Sequence, residues 1–178
     1  RAGHQLYPAF PCDHFGTVAD ADDADLYAYL MTRQPVKPAK PANDLTFPLG
    51  FRFLLTGWKL LFFHPAAFHP DPGQSAAWNR GAYLVQGLAH CGACHTPRNL
   101  LAAEETSHPL AGGNAQGWYA YALDAGSPAP VPWTADSLYA YLRHGWEAQH
   151  GDALGPMAEV TADLARAPDD DLHAIAIY

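Results

Sequence analysis

Cys91-Gly92-Ala93-Cys94-His95 carries the chemistry of this 178-residue chain. Cysteines three positions apart on a helix face the same way, so both sulfurs can reach the two vinyl groups on one edge of a porphyrin. The adjoining histidine then comes to the iron. Cys91 and Cys94 are read as thioether anchors of a haem c, and His95 as its proximal nitrogen ligand. Two other readings use the same residues. A thioredoxin-like dithiol also has C-x-x-C, but there the pair opens a helix after a strand; here Trp78 to His90 reads as a helix running into the cysteines. A structural zinc site needs further ligands, and the third cysteine, Cys12, is remote and has no cysteine beside it. None of the ten histidines stands in the usual paired spacing with the cysteines.

Composition narrows the class. A hydrophobic content of 49% is enough for a globular core. The formal charge of -8, with only 10 Lys and Arg in all, argues against a nucleic-acid partner and for a partner protein whose surface is electropositive. Sixteen prolines and fifteen glycines point to a loop-rich fold of short helices. The apolar stretch Pro48 to Phe63 carries Arg52 and Lys59 and is shorter than the roughly twenty apolar residues a spanning helix needs, so it reads as a buried or interfacial linker helix. The opening Arg1-Ala2-Gly3-His4 lacks the basic, apolar and small-residue order of a secretory leader and is taken as the start of a mature product or a fragment.

An echo runs through the chain. Asp20 to Met31 and Pro168 to Tyr178 share an acidic start followed by Asp-Leu, Ala and large apolar residues, the pattern of a helix that closes a domain. Leu26, Tyr29 and Leu30 form the apolar stripe of the first, and Leu172, Ile175 and Ala176 that of the second. In the second half, Gly81 stands among Leu84, Val85 and Leu88 and would let the closing helix approach closely. Thr134 can cap a helix that turns Leu138, Tyr141 and Leu142 inward and stops at Gly145. Three helices around one haem are therefore expected, with the porphyrin supplying much of the buried apolar area.

A low-spin electron carrier needs a sixth iron ligand, and a thioether favours Fe(II). Of the two methionines, Met31 lies in the first closing helix, while Met157 sits in a Gly155-Pro156-Met157 loop after the haem motif. Met157 is the expected ligand; His144 and His150 compete with it, and an open sixth position would instead suit a haem enzyme or a sensor of gas or peroxide. The other ring nitrogen of His95 should donate to a backbone carbonyl, for which Pro109 is the candidate. Arg98 could pair with a haem propionate or be a solvated loop residue. Trp118 and Tyr119 could pack on the porphyrin edge or simply fill a small core.

Several runs together resemble the multihaem cytochrome c subunits of bacterial periplasmic dehydrogenases: Leu6-Tyr7-Pro8-Ala9-Phe10-Pro11, Leu26 to Leu30, Trp58 to Phe63, Trp78 to Val85, Cys91 to Asn99, Leu110-Ala111-Gly112-Gly113, Gly117-Trp118-Tyr119 and Gly155-Pro156-Met157. The resemblance implies a mostly α, cytochrome c-like fold of short helices around a covalently bound haem. It implies a periplasmic place, at the outer face of the cytoplasmic membrane with peripheral attachment there. Electrons would come from a catalytic dehydrogenase subunit and pass to quinone or a terminal oxidase. Such subunits serve molybdenum hydroxylases acting on nicotinate, isoquinoline or aldehydes, and quinoprotein alcohol dehydrogenases; the Ser127 to Trp133 loop looks closer to the former. Family members carry three C-x-x-C-H motifs and this chain has one. On that comparison residues 1–34 are the C-terminal half of a first domain without its haem motif, 35–77 a linker with the apolar helix, and 78–178 a complete monohaem domain. Phe10 stands where a methionine ligand would be convenient, and Cys12, where an aromatic is usual, reads as a free thiol.

Overall fold

The structure, a computed structural model, describes residues 5–8, 10–39, 45 and 47–178. Arg1 to His4, and Ala9 within the Leu6 to Pro11 run, lie outside the described residues. Among those described, helices dominate and the strands are short, as the loop-rich composition leads one to expect. The chain forms two compact units, Arg1–Phe68 and His69–Tyr178.

The first unit contains helices α1 (Cys12–Phe15), α2 (Asp20–Met31) and α3 (Leu54–Phe62). Asp20, Asp22 and Asp23 in the first turn of α2 suit the positive end of the helix dipole. The apolar stripe of α2 is present but uncovered: no residue of this helix is buried, and Leu26, Tyr29 and Leu30 are all exposed. The apolar helix α3 likewise buries none of its residues, so of the two expectations for it, buried or interfacial, the buried one does not hold. Tyr7 Oη donates to Leu49 O at 3.0 Å, and the Arg52 guanidinium lies over the Tyr7 ring while donating to Gln5 O at 2.6 Å. No helix among the described residues is long and apolar enough to cross a membrane.

The second unit opens with α4 (Ala76–Tyr83), capped by Ser75, whose Oγ accepts from Trp78 N. The expected straight helix to His90 does not form. The chain widens into a π-helical turn, Leu84–Leu88, with Ala89 N on Leu84 O at 2.8 Å and Cys91 N on Val85 O at 3.1 Å. His90 then takes a left-handed backbone (φ 40°) and delivers the chain into the four-residue helix α5 (Gly92–His95). A π-turn spends one extra residue without lengthening the helix, so it changes the direction in which the following residues face.

A hairpin follows, β1 (Gly113–Ala115) paired antiparallel with β2 (Trp118–Ala120) in the register Gly113↔Ala120 and Ala115↔Trp118. Its two turn residues, Gln116 and Gly117, both have positive φ, as a tight hairpin turn demands. Helix α6 (Ala135–His144) starts in a Thr134–Ser137 capping box and ends at a left-handed Gly145. A minimal pair, β3 (Trp146–Glu147) and β4 (Gly151–Asp152), leads to α7 (Pro156–Leu164) and α8 (Asp169–Ile177). The three expected helices, α4, α6 and α8, are joined by the short α5 and by α7.

Helix α8 is the hub, packing on both α4 and α6. Leu172 is wholly buried, and Ala174 is buried where the sequence stripe pointed to Ala176. A Cβ on Gly81 would stand 2.0 Å from Ala174 O, so only glycine permits this α4–α8 crossing. Arg80 clamps Asp171 bidentately at 2.7 and 3.0 Å, and Trp78 meets Tyr178 edge to face at 4.9 Å. Asp169 at the start of α8 accepts from Tyr139 Oη at 2.8 Å and from Arg143, both on α6.

Two measurements check this arrangement. Gly81→Ala should lower the stability of the second unit by about 3 kcal/mol, read from chemical unfolding, because the methyl has backbone rather than a flexible side chain to displace. The Tyr139 hydroxyl, and then the Arg143 charge, hold the Asp169 carboxyl below the usual carboxylate range. A depressed folded-state pKa contributes stability above the unfolded value of about 3.9, lost as pH falls through the lower folded one. The thermal midpoint of wild type should therefore exceed that of Asp169→Asn at pH 6, the gap narrowing as the pH is lowered through and below the ordinary carboxylate range.

Candidate functional site

The C-x-x-C-H residues form a single tight turn. Cys91 is the N-cap of α5, and its carbonyl accepts from His95 N at 3.0 Å; Gly92 O accepts from Thr96 N at 2.9 Å. Both thiols are free. Burial, opposed in part by a backbone hydrogen bond, pushes the Cys91 thiol up to about 11. An unmodified Cys91 therefore stays protonated at neutral pH and acts as an apolar group. Such a thiol is unlike the low-pKa nucleophile of a dithiol oxidoreductase.

The turn is gripped from behind by the segment Leu110 to Gly113. Leu110 N donates to the buried Thr96 Oγ1 at 3.1 Å, and Gly112 N donates to His95 O at 2.7 Å. A Cβ on Gly113 would come within 2.5 Å of Cys94 O and 2.6 Å of Thr96 O. Gly112, at φ 91°, supplies the left-handed bend that lets the chain follow the motif so closely.

His95 is oriented by a carbonyl, though from a different residue than expected. Its Nδ1 lies 2.7 Å from Tyr121 O, not from the Pro109 carbonyl. The hairpin carries the chain across the site and returns it at Tyr121, something sequence distance could not convey. A carbonyl can only accept, so Nδ1 carries the proton and Nε2 keeps its lone pair. Burial lowers the His95 pKa, opposed by the Tyr121 carbonyl, which favours the neutral, ligating ring.

Arg98 holds protein rather than projecting as a free cation. Its guanidinium donates to Ala93 O (3.0 Å), Ala102 O (2.9 Å) and Glu104 Oε1 (3.1 Å), tying the following loop to the motif. Of the two expectations for Arg98, a propionate partner or a solvated loop residue, the second is modified: its terminal nitrogens are engaged with the protein. Trp118 lies against Gly155: a Cβ there would fall 2.5 Å from the indole, and at φ 54° and ψ -136° the position suits glycine. Tyr119 and Tyr121 meet edge to face at 5.8 Å.

Met157 is not in a loop. Pro156 begins α7, and Met157 is its second residue, half-buried, with its amide donating to Leu154 O at 3.2 Å. The β1–β2 hairpin thus touches the Cys94 carbonyl through Gly113 and, through Trp118, the residue before α7, the helix that carries Met157. Of the competing histidines, His144 is exposed at the end of α6. His150 is engaged at both nitrogens, Nδ1 with Glu147 Oε2 at 2.7 Å and Nε2 with Val131 O at 3.1 Å, and its ring stacks on Trp133 at 3.4 Å. Both nitrogens and one face of the His150 ring are thus engaged within the protein.

Sequence reasoning missed Tyr121, Thr96 and the π-turn. A backbone carbonyl leaves no residue-type signal, and the π-turn is read only from hydrogen bonds. The adjacent glycines 112 and 113 were a usable sign of close backbone approach.

No protein-family model matches the chain. It is 50% identical over 179 residues to a nicotinate dehydrogenase subunit of Pseudomonas putida, a match covering all of this chain and 15% of that protein. It is 41% identical over 182 residues to the fructose dehydrogenase cytochrome subunit of Gluconobacter japonicus, covering 99% of this chain and 37% of the relative. With a diheme cytochrome c-type protein of Cereibacter sphaeroides the identity is 40% over 173 residues, covering 97% and 57%. The chain therefore spans less than two thirds of the length of each of these relatives. Cytochrome subunits of dehydrogenases are its homologues from end to end, and its mostly helical structure accords with a cytochrome c-like fold.

Replacing Gly113 by Ala should disturb the motif more than the hairpin. The methyl would push on Cys94 O and Thr96 O, and the yield of haem-loaded protein, read from visible absorbance per unit of protein, should fall severalfold while the helical circular dichroism of the loaded fraction is retained.

Proposed function

We propose, from its homology with cytochrome subunits of dehydrogenases, that this chain is an electron-transfer segment carrying one haem c. The observation that carries the reading is the C-x-x-C-H turn in which the Tyr121 carbonyl fixes the His95 ring with Nε2 as its ligating atom. The donor set fits the group: two unpaired sulfurs, one neutral imidazole and one thioether. The apolar surroundings fit it as well. Leu172 is the largest side chain that the unit buries fully, while Trp118, Tyr121, Leu123 and Leu154 are left more than half exposed, a thin core with ample surface for a flat apolar ring system.

In this reading Cys91 and Cys94 hold the haem as thioethers, and His95 and Met157 are its axial ligands. The bound haem supplies reversible one-electron chemistry at iron. The chain's own part is to keep that centre unchanged while its charge changes. The Tyr121 carbonyl keeps the imidazole in one tautomer and one orientation. The Leu110 to Gly113 segment stiffens the turn that bears the sulfurs and the histidine. Trp118, seated on Gly155, and Pro156 at the first position of α7 limit the freedom of the turn that bears Met157. Residues 78–178 are the haem-carrying domain, 1–34 the closing half of a preceding domain and 35–77 the linker between them.

The electron donor is a catalytic dehydrogenase subunit, and the 50% identity with a subunit of a nicotinate dehydrogenase favours a molybdenum hydroxylase over a quinoprotein alcohol dehydrogenase. Quinone or a terminal oxidase is the acceptor. The segment works in the periplasm, peripherally at the outer face of the cytoplasmic membrane.

Carbon monoxide tests the axial assignment. The reduced wild-type protein, saturated at iron by His95 and Met157, should not bind the gas on mixing, whereas Met157→Ala should bind it and show the corresponding shift of the Soret band. Rapid binding by wild type would point to the open sixth position of a sensor or enzyme instead.

A further inference from the structure

Immediately after the C-x-x-C-H turn, residues 97–105 form a narrow loop with two leucines at its tip, Leu100 fully exposed and Leu101 more than half exposed. Glu105 N donates to Pro97 O at 2.8 Å, Arg98 and Glu104 are bridged, and Asn99 N donates to Ala103 O at 2.9 Å. The Asn99 side-chain oxygen accepts from Leu101 N at 2.9 Å and Ala103 N at 3.2 Å, and Ala102 takes the left-handed bend at φ 61°. Arg98 spans the loop, reaching Ala102 O near the tip, Glu104 on the returning arm and Ala93 O inside the C-x-x-C-H turn. At the tip Leu100 is 105% exposed and Leu101 59%. An apolar tip on a loose loop could fold back onto the protein; this one is held outward by its own hydrogen bonds. Rigid presentation lowers the ordering entropy that a partner would otherwise have to overcome.

Charge says what kind of surface would meet it. The unit His69–Tyr178 has no lysine and four arginines against twelve carboxylates, so the whole net charge of -8 resides there, while Arg1–Phe68 balances six against six. Each of the four arginines is already paired, Arg80 with Asp171, Arg98 with Glu104, Arg143 with Asp169 and Arg166 with Asp163. The carboxylates not paired with arginine include Glu105 at the base of the loop, whose side chain is 40% exposed and lies 3.9 Å from His108 Nδ1. Such a surface attracts a cationic protein and is repelled by an anionic lipid leaflet.

We propose that the Leu100–Leu101 tip is the docking knob of this unit, seating in an apolar hollow rimmed by Lys or Arg on the protein with which it exchanges electrons. The inference rests on the electron-carrier reading above. Because Arg98 ties the tip to Ala93, a partner seated there is held beside the turn that bears the haem sulfurs. The leucines supply the buried centre of the contact, and the acidic surroundings supply its approach rate and orientation.

Stopped-flow oxidation of the reduced full chain tests this with two probes, a lysine-rich c-type cytochrome and the small complex tris(phenanthroline)cobalt(III). The rate with the lysine-rich protein should fall steeply as salt is raised. Leu100→Ser with Leu101→Ser should reduce it roughly five- to tenfold, while the visible spectrum and the cobalt rate stay at wild-type values. Leu100→Met with Leu101→Met should recover most of the loss. An unchanged protein-to-protein rate in the serine variant, or a rate indifferent to salt, overturns the proposal. So does leucine-dependent sedimentation of wild type with phosphatidylcholine–phosphatidylglycerol vesicles, which would make the tip a membrane contact. If the cobalt complex also fails to oxidise the protein, the electron-carrier reading itself is lost, and the docking site with it.

Discussion

The close passage of one backbone behind another sets the geometry of the site. Gly113 crosses the Cys94 and Thr96 carbonyls at a separation no side chain would allow, and Gly112 N completes the contact on His95 O. From there the chain turns through Gln116 and Gly117 and returns its Tyr121 carbonyl to the His95 ring. One short hairpin therefore supports both the backbone and the ring of the same histidine. A metal-ligating histidine needs both supports, because backbone position sets where the ring can be and the second ring nitrogen sets how it is turned.

The π-turn at Leu84–Leu88 serves the same end from the other direction. An uninterrupted α-helix would keep the phase of α4 through to the cysteines. The wider turn, followed by the left-handed His90, shifts that phase while Tyr83, Leu84 and Val85 stay in the core. Helix α4 can then satisfy two demands that a single regular helix would set against each other, the close Gly81–Ala174 crossing and the placement of the haem motif.

The two units differ in how completely they cover their apolar surface. In His69–Tyr178 the closing helix α8 finds α4 and α6 and buries Leu172 entirely. In Arg1–Phe68 the similar helix α2 buries nothing, and α3 exposes Leu60 and Leu61. Two helices of like sequence thus have different fates, because burial depends on what is present to pack against and amphipathic pattern alone does not supply it. Charge divides the same way, with a balanced first unit and a strongly acidic second one.

Residue types with fixed chemical roles were legible without coordinates. The C-x-x-C-H turn, the Thr134 cap, the Gly145 stop, the helix-contacting role of Gly81 and the acidic balance each rest on short-range rules or on composition. Those rules act within a few residues and survive any tertiary context. The partner of His95 Nδ1, the engagement of Arg98, the helical setting of Met157, the occupied nitrogens of His150 and the exposure of α2 and α3 required the folded chain. Each depends on segments far apart in sequence, or on backbone carbonyls that every residue possesses and none advertises. Sequence alone nominated the atoms suited to the proposed chemistry; the tertiary structure decided how each of them is held, since orientation is fixed by neighbours that only folding brings together.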